Sequence, residues 1–95
     1  MARSTVLVPT EHASKYLQQL CKHWTHRLDV TFDAQHGTVK FEGSVATLDA
    51  RDSGLEVAVE ATDAATLERI KGAVSSHLDR FAFREAPLTF DWVDG

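Results

Sequence analysis

At 95 residues the chain is long enough for one hydrophobic core and too short for two. Its 43% hydrophobic and 25% charged residues, with two prolines, describe an ordinary folded domain rather than a disordered tail. A formal charge of −4, with no block of Lys or Arg, argues against a nucleic-acid partner, because such binding depends on neutralising phosphates.

The one cysteine, Cys21, has no partner for an internal disulfide, and the apolar run after Met1-Ala2-Arg3-Ser4-Thr5 is too short for a leader peptide. A reducing cytoplasm is therefore the expected compartment. No apolar run approaches the roughly 20 residues that span a bilayer, so no membrane segment is expected.

Thr5 to Val8 is a β-branched run closed by Pro9, the pattern of an opening strand. Thr10 is placed to cap a helix reaching about Trp24, with Glu11 in its first turn. Ala13, Tyr16, Leu17, Leu20 and Trp24 form one stripe on that helix, and Cys21 sits at its edge. Leu28, Val30 and Phe32 then alternate with polar residues, Asp33 to Gly37 supplies a turn, and Val39 and Phe41 continue on a return strand.

Glu42-Gly43-Ser44 fits either a bulge in one long strand or a second tight turn. Val45 to Ala50 reads as strand and Arg51 to Gly54 as turn. Leu55, Val57 and Val59 then alternate with Glu56, Ala58 and Glu60. Asp63 can cap a second helix whose stripe is Leu67, Ile70, Val74, Leu78 and Phe81, fraying over Arg84 to Ala86 before Pro87. Leu88, Phe90 and Trp92 alternate as a last strand.

The order is β-α-β-β-β-β-α-β, with one strand fewer if Glu42 to Ser44 is a bulge. Short hairpins require an antiparallel sheet, and each helix has one apolar face to bury. The expected fold is a single α+β domain over residues 1–95, a two-layer sandwich with both helices on one face of a mainly antiparallel sheet.

Several stretches resemble the small bacterial proteins grouped as domain-of-unknown-function family 2218. They are Leu20 to His26, Thr31-Phe32-Asp33 with His36-Gly37, Leu48-Asp49-Ala50, His77 to Glu85, and Asp91-Trp92. The resemblance spans nearly the whole chain and departs only at Glu42-Gly43-Ser44, where relatives carry a proline-containing turn. It implies no activity. It does imply a setting beside, and sometimes joined to, siderophore-interacting flavin reductases and iron-uptake components, which makes such a reductase a candidate partner.

Leu20 to His26 gathers Cys21, His23, Trp24 and His26 in seven residues. Thiolate and imidazole together suit zinc or iron. On a helix, however, Cys21 lies about 160° from His23, so the two cannot close on one ion. His23 and His26, an i, i+3 pair, can share a metal only if another element adds donors. His77 is the candidate donor, a border residue of the second helix able to face His23. The plainer alternative has Cys21 packed as a small hydrophobe and the histidines solvated or hydrogen-bonded in place.

Arg80 and Arg84 compensate the second helix's dipole, while Phe83 points away from its apolar stripe, so the three form a candidate interaction patch. No Gly-rich phosphate loop, nucleophile elbow or His-Glu-x-x-His occurs, and Cys21 lacks a base on its own side of the helix, so no enzyme activity is expected. Two functions follow. One is an accessory binding module in iron or siderophore handling, with His23, His26 and His77 as ligands. The other is a ligand-free interaction module, a homodimer or a reductase-docking domain. In the second case the polar sheet face bearing Asp29, Thr31, Glu56, Ala58 and Glu60 is not expected to be buried whole, which leaves edges and helix ends.

Overall fold

The computed structural model describes residues 2–82, 84, 88 and 90–94. Its elements are β1 (Ala2–Val8), α1 (Ala13–Trp24), β2 (Asp29–Phe32), β3 (His36–Phe41), β4 (Ser44–Arg51), β5 (Gly54–Ala61), α2 (Ala64–Phe81) and β6 (Val93–Asp94). All neighbours pair antiparallel in one open sheet ordered β2-β3-β4-β5-β1-β6. The meander β2 to β5 follows directly from short turns, while β1 returns to pair with β5. The expected two-layer α+β sandwich is the observed one.

Both helices cover the same face, α1 over β2 to β5 and α2 over β5, β1 and β4. Every second strand residue therefore enters the core, with Val6, Val8, Val39, Ala46, Leu48, Leu55, Val57 and Val59 all buried. From the helix side come Leu17, Leu20, Val74 and Leu78, each at 0% exposure.

Glu42-Gly43 forms a tight turn rather than a bulge, since Phe41 pairs with Ser44 and Gly43 takes φ +75°. Gly54 has φ +152°, and a Cβ there would stand 2.2 Å from the Val8 carbonyl oxygen, so this position needs glycine for both conformation and space. Asp63 caps α2 as its sequence suggests, its Oδ1 accepting from the Thr66 N–H at 2.7 Å.

Three local expectations change. Thr10 does not cap α1: its hydroxyl accepts from the His12 N–H at 3.1 Å, closing a short turn, and the helix starts at Ala13 with no side-chain cap. Glu11 consequently precedes the first helical turn instead of lying in it.

The last strand is Val93–Asp94, paired with Ser4 and Thr5, not the Leu88 to Trp92 run. Leu88 is buried, and Phe90 and Trp92 are half-buried. Side chains of α2 bind this segment: Asp79 accepts from the Leu88 N–H at 2.9 Å, and the Trp92 indole donates to the Ser75 hydroxyl at 3.3 Å. Lys71 pairs with Asp94 at 3.2 Å and lies over the Trp92 ring. Finally, α2 ends at Phe81, so the expected fraying over Arg84 to Ala86 falls beyond the helix, and Glu85, Ala86 and Pro87 lie outside the described residues. Among the described residues no helix is long and apolar enough to cross a membrane.

Candidate functional site

The end of α1 divides Leu20 to His26 between two environments. Leu20, Cys21 and Trp24 point to the sheet and are buried, while His23 is exposed at the helix border and His26 is exposed in the turn that follows. Cys21 sits against β3, where a Cβ built on Gly37 would come within 2.8 Å of its Sγ. Burial pushes the Cys21 thiol up to about 11, so the group is protonated and inert at neutral pH. Cys21 is therefore a core residue on the side of α1 away from His23, which removes it from the candidate ligand set.

His23 and His77 meet where α1 and α2 run side by side, with ring centroids 5.0 Å apart. Trp24 stands 5.1 Å from the His77 ring on the core side, and Phe81 lies 5.8 Å from His23. Trp24 in turn packs edge-on against Phe41 of β3 at 5.0 Å, which fixes the wall behind the imidazoles.

His77 Nδ1 is 2.7 Å from the Ala73 carbonyl oxygen. A carbonyl only accepts, so Nδ1 carries the proton and Nε2 of the neutral ring keeps its lone pair. The His23 pKa is lowered first by loss of hydration and then by the positive charges of His77, Arg80, Arg27 and His26. A proton on His23 is disfavoured, which leaves its ring available to an electrophile or a hydrogen-bond donor.

His26 acts on His23 through its charge rather than through a ring contact. Among the described residues no group of three or more His, Cys, Asp or Glu side chains is placed to hold a metal ion. The seam offers two imidazoles, His23 and His77, and not the set of His23, His26 and His77.

Beside the seam, and sharing Phe81 with it, lies a recess of about 250 Å³ lined by Lys15, Tyr16, Gln19, Ala82 and Arg84. Its cationic rim comes from Lys15 and Arg84. The Gln19 side-chain oxygen is buried and has no hydrogen-bond partner among the described residues. Arg80 is exposed and raises the local positive potential at His23. Phe83, the remaining member of the expected interaction patch, lies outside the described residues.

A second histidine pairing escapes a linear reading. His36 lies in β3 and not in the preceding turn, its Nδ1 2.7 Å from Asp49 Oδ1 on the sheet face that carries no helix. Asp33 instead closes the turn, its Oδ1 accepting from the Gln35 and His36 N–H groups at 2.8 Å, and these bonds hold its carboxyl below the usual range. The available signal was the two-residue spacing from His36 to Thr38 on the polar side of β3. The missing information was the β3–β4 register.

Residues 5–93 match domain-of-unknown-function family 2218, described as an uncharacterised protein conserved in bacteria. Among curated proteins none matches the chain. Among solved structures the chain is similar to the NMR structure of PA4090 from Pseudomonas aeruginosa, with TM-score 0.83, 32% sequence identity, and coverage of 98% of this chain and 96% of that one. The stretches that carry the family likeness also meet in space: Cys21 touches the Gly37 position, His36 pairs with Asp49, and His23 faces His77 and Phe81. The chain belongs to domain-of-unknown-function family 2218, whose fold it displays as two helices on a six-stranded antiparallel sheet.

Proposed function

We propose that this domain is a binding or accessory module without catalysis of its own, and that its ligand seat is the His23–His77 seam with the adjoining cationic recess. The observation that carries this reading is the 5.0 Å spacing of the two rings together with the lone pair on Nε2 of His77. With nitrogen about 2.1 Å from a metal and the ring centre about 1.1 Å farther on, two imidazoles on one tetrahedral or octahedral ion have centroids about 4.6 to 5.3 Å apart. The spacing fits zinc or iron held by two protein donors, with the other positions left to exchangeable ligands. Lys15 and Arg84 favour an anionic ligand beside the ion. This is the chemistry an iron- or siderophore-linked accessory protein of the cytoplasm would use, next to a siderophore-interacting reductase.

Titration of tag-free protein with zinc(II) or iron(II) tests the proposal. His23→Ala and His77→Ala each should weaken binding about tenfold or more, at least as much as loss of an outer-shell partner does. His26→Ala should leave it nearly unchanged. Wild-type protein that binds neither metal more tightly than the His23→Ala/His77→Ala double variant would remove the reading.

A second reading, an interaction module with no small ligand, is favoured by a different observation. Among the described residues the exposed large hydrophobics are Leu7 at 44%, Val45 at 38% and Val93 at 66%. Leu7 and Val45 alternate with core-facing neighbours and so point away from the helices, and Val93 pairs beside Thr5 of that same face.

A further inference from the structure

The helix-free face of the sheet is ordered by strand register into three rows that run across β1, β5, β4, β3 and β2. The first reads Arg3, Glu60, Val45, Lys40, Asp29. The second reads Thr5, Ala58, Thr47, Thr38, Thr31 and carries no charge. The third reads Leu7, Glu56, Asp49, His36.

The first row has an unusual property. Its signs are plus, minus, neutral, plus, minus, so the same row read in reverse is its electrostatic complement at every position. A two-fold axis lying along β4, in the plane between two sheets, performs that reversal. It sets each row against its own copy, exchanges β1 with β2 and β5 with β3, and leaves β4 facing β4.

From this the geometry points to a face-to-face homodimer, in which two copies of this chain pack their helix-free sheet faces about a two-fold axis along β4. Arg3 then faces Asp29 of the second copy and Glu60 faces its Lys40, each twice by symmetry. Val45, exposed in the single chain, meets itself at the axis. The uncharged second row packs on itself, with Thr38 against Ala58 and Thr47 against Thr47. In the third row His36 faces Glu56. The like-charge contacts are those of β4 on the axis: Asp49 with Asp49, where each carboxylate already has its own His36 at 2.7 Å, and Arg51 with Arg51, where each guanidinium already has its own Glu56 at 2.9 Å.

The face is not simply acidic, as its strand sequences suggest one by one, because Arg3, Lys40 and Arg51 interleave with Asp29, Asp49, Glu56 and Glu60. Five strands about 4.8 Å apart and three rows deep bury about 500 Å² per copy, or about 1,000 Å² in all, the lower bound for a specific interface. The association is therefore reversible and salt-sensitive, because its specificity is carried by charge. This inference is independent of the ligand seat, which lies on the opposite side of the molecule, on the helix layer.

Sedimentation of the full chain over a concentration series, at low and high salt, tests it. The wild-type chain should dimerise, more weakly at high salt. Lys40→Glu alone sets a carboxylate against the Glu60 carboxylate twice, and Glu60→Lys alone sets an ammonium against that of Lys40 twice. Each variant by itself should therefore dimerise about tenfold more weakly or worse. Mixed together, the two variants should form a heterodimer. The introduced carboxylate of one copy then meets the introduced ammonium of the other, while the second site keeps the wild-type pair of Glu60 with Lys40. Both positions are exposed, so circular dichroism should show both variants folded. A wild-type chain that stays monomeric at all accessible concentrations overturns the proposal. So does a mixture that associates no better than its components, or single variants that dimerise as the wild type does.

Discussion

The two faces of the sheet are built from the same strands and obey different rules. On the inner face Val39, Ala46, Leu48, Val57 and Val59 are fully buried, and side-chain volume sets the energy. One residue along, on the outer face, Lys40, Thr47, Glu56, Ala58 and Glu60 are exposed or half-exposed, and single changes are tolerated. The inner face specifies the fold. The outer face, released from that duty, is where charge order across strands can carry association.

The sharpest way to break this contrast is to mutate neighbours. Leu48→Ala should lower unfolding free energy by about 3 kcal/mol through lost burial and a residual cavity, whereas Thr47→Ala, one residue away, should change it by less than about 0.5 kcal/mol. Equal effects in chemical denaturation would dissolve the distinction. Gly54→Ala, where a Cβ meets the backbone of Val8 and the φ is +152°, should cost about 2 to 3 kcal/mol, and no side-chain deletion nearby should restore it, since the obstacle is main chain.

Gly37→Ala is the informative counterpart, because there the obstacle is a side chain, Cys21 Sγ. A loss of about 1 to 3 kcal/mol is expected, partly recovered in Gly37→Ala/Cys21→Ala. A strictly additive double variant would show that α1 does not press on β3 at this point.

The smallest effect concerns pH. The His23 pKa lies below its ordinary 6.5 in the folded chain, so the unfolded chain takes up the proton first as pH falls. Stability from this group is fully present above about pH 6.5 and is lost as pH falls through the folded value. Asp33, Asp63 and Asp94 are held below 3.8, by hydrogen bonds from the backbone in the first two and from Ser4 and Lys71 in the third, so their contribution persists above that value and fails only in more acid solution. Thermal midpoints should therefore decline in two steps, and His23→Gln should flatten the upper one. An unchanged slope between about pH 6.5 and 5 in that variant would place the effect elsewhere.

Much of this architecture was legible because hydrophobic period reports which side of an element is dry. The α1 stripe from Ala13 to Trp24, the alternation of Leu55, Val57 and Val59, and the border positions of His23 and His77 all follow from it. The same signal misplaces the last strand for a physical reason. Leu88, Phe90 and Trp92 do alternate with exposed Asp91 in burial, but they pack as an irregular segment bound by Asp79 and Ser75 of α2. Period two reports a dry side, not a hydrogen-bonded ladder. At Glu42-Gly43-Ser44 composition left two alternatives, and the pairing of Phe41 with Ser44 chose between them. The His36–Asp49 pair and the reversing charge row depend on register across several strands, which no single strand encodes.

The strand order has a consequence for how the chain reaches its native state. β2 to β5 are joined by tight turns within residues 29–61, so their contacts are local and loop closure is inexpensive. β1 has to find β5 about 50 residues away, and β6 can be added only after β1 is in place. The meander is thus the expected nucleus, and the N-terminal strand the late event. In a chevron analysis Val6→Ala should chiefly accelerate unfolding, while Ala46→Gly should chiefly slow folding; the reverse partition would mean that the chain ends meet the sheet before its centre has formed.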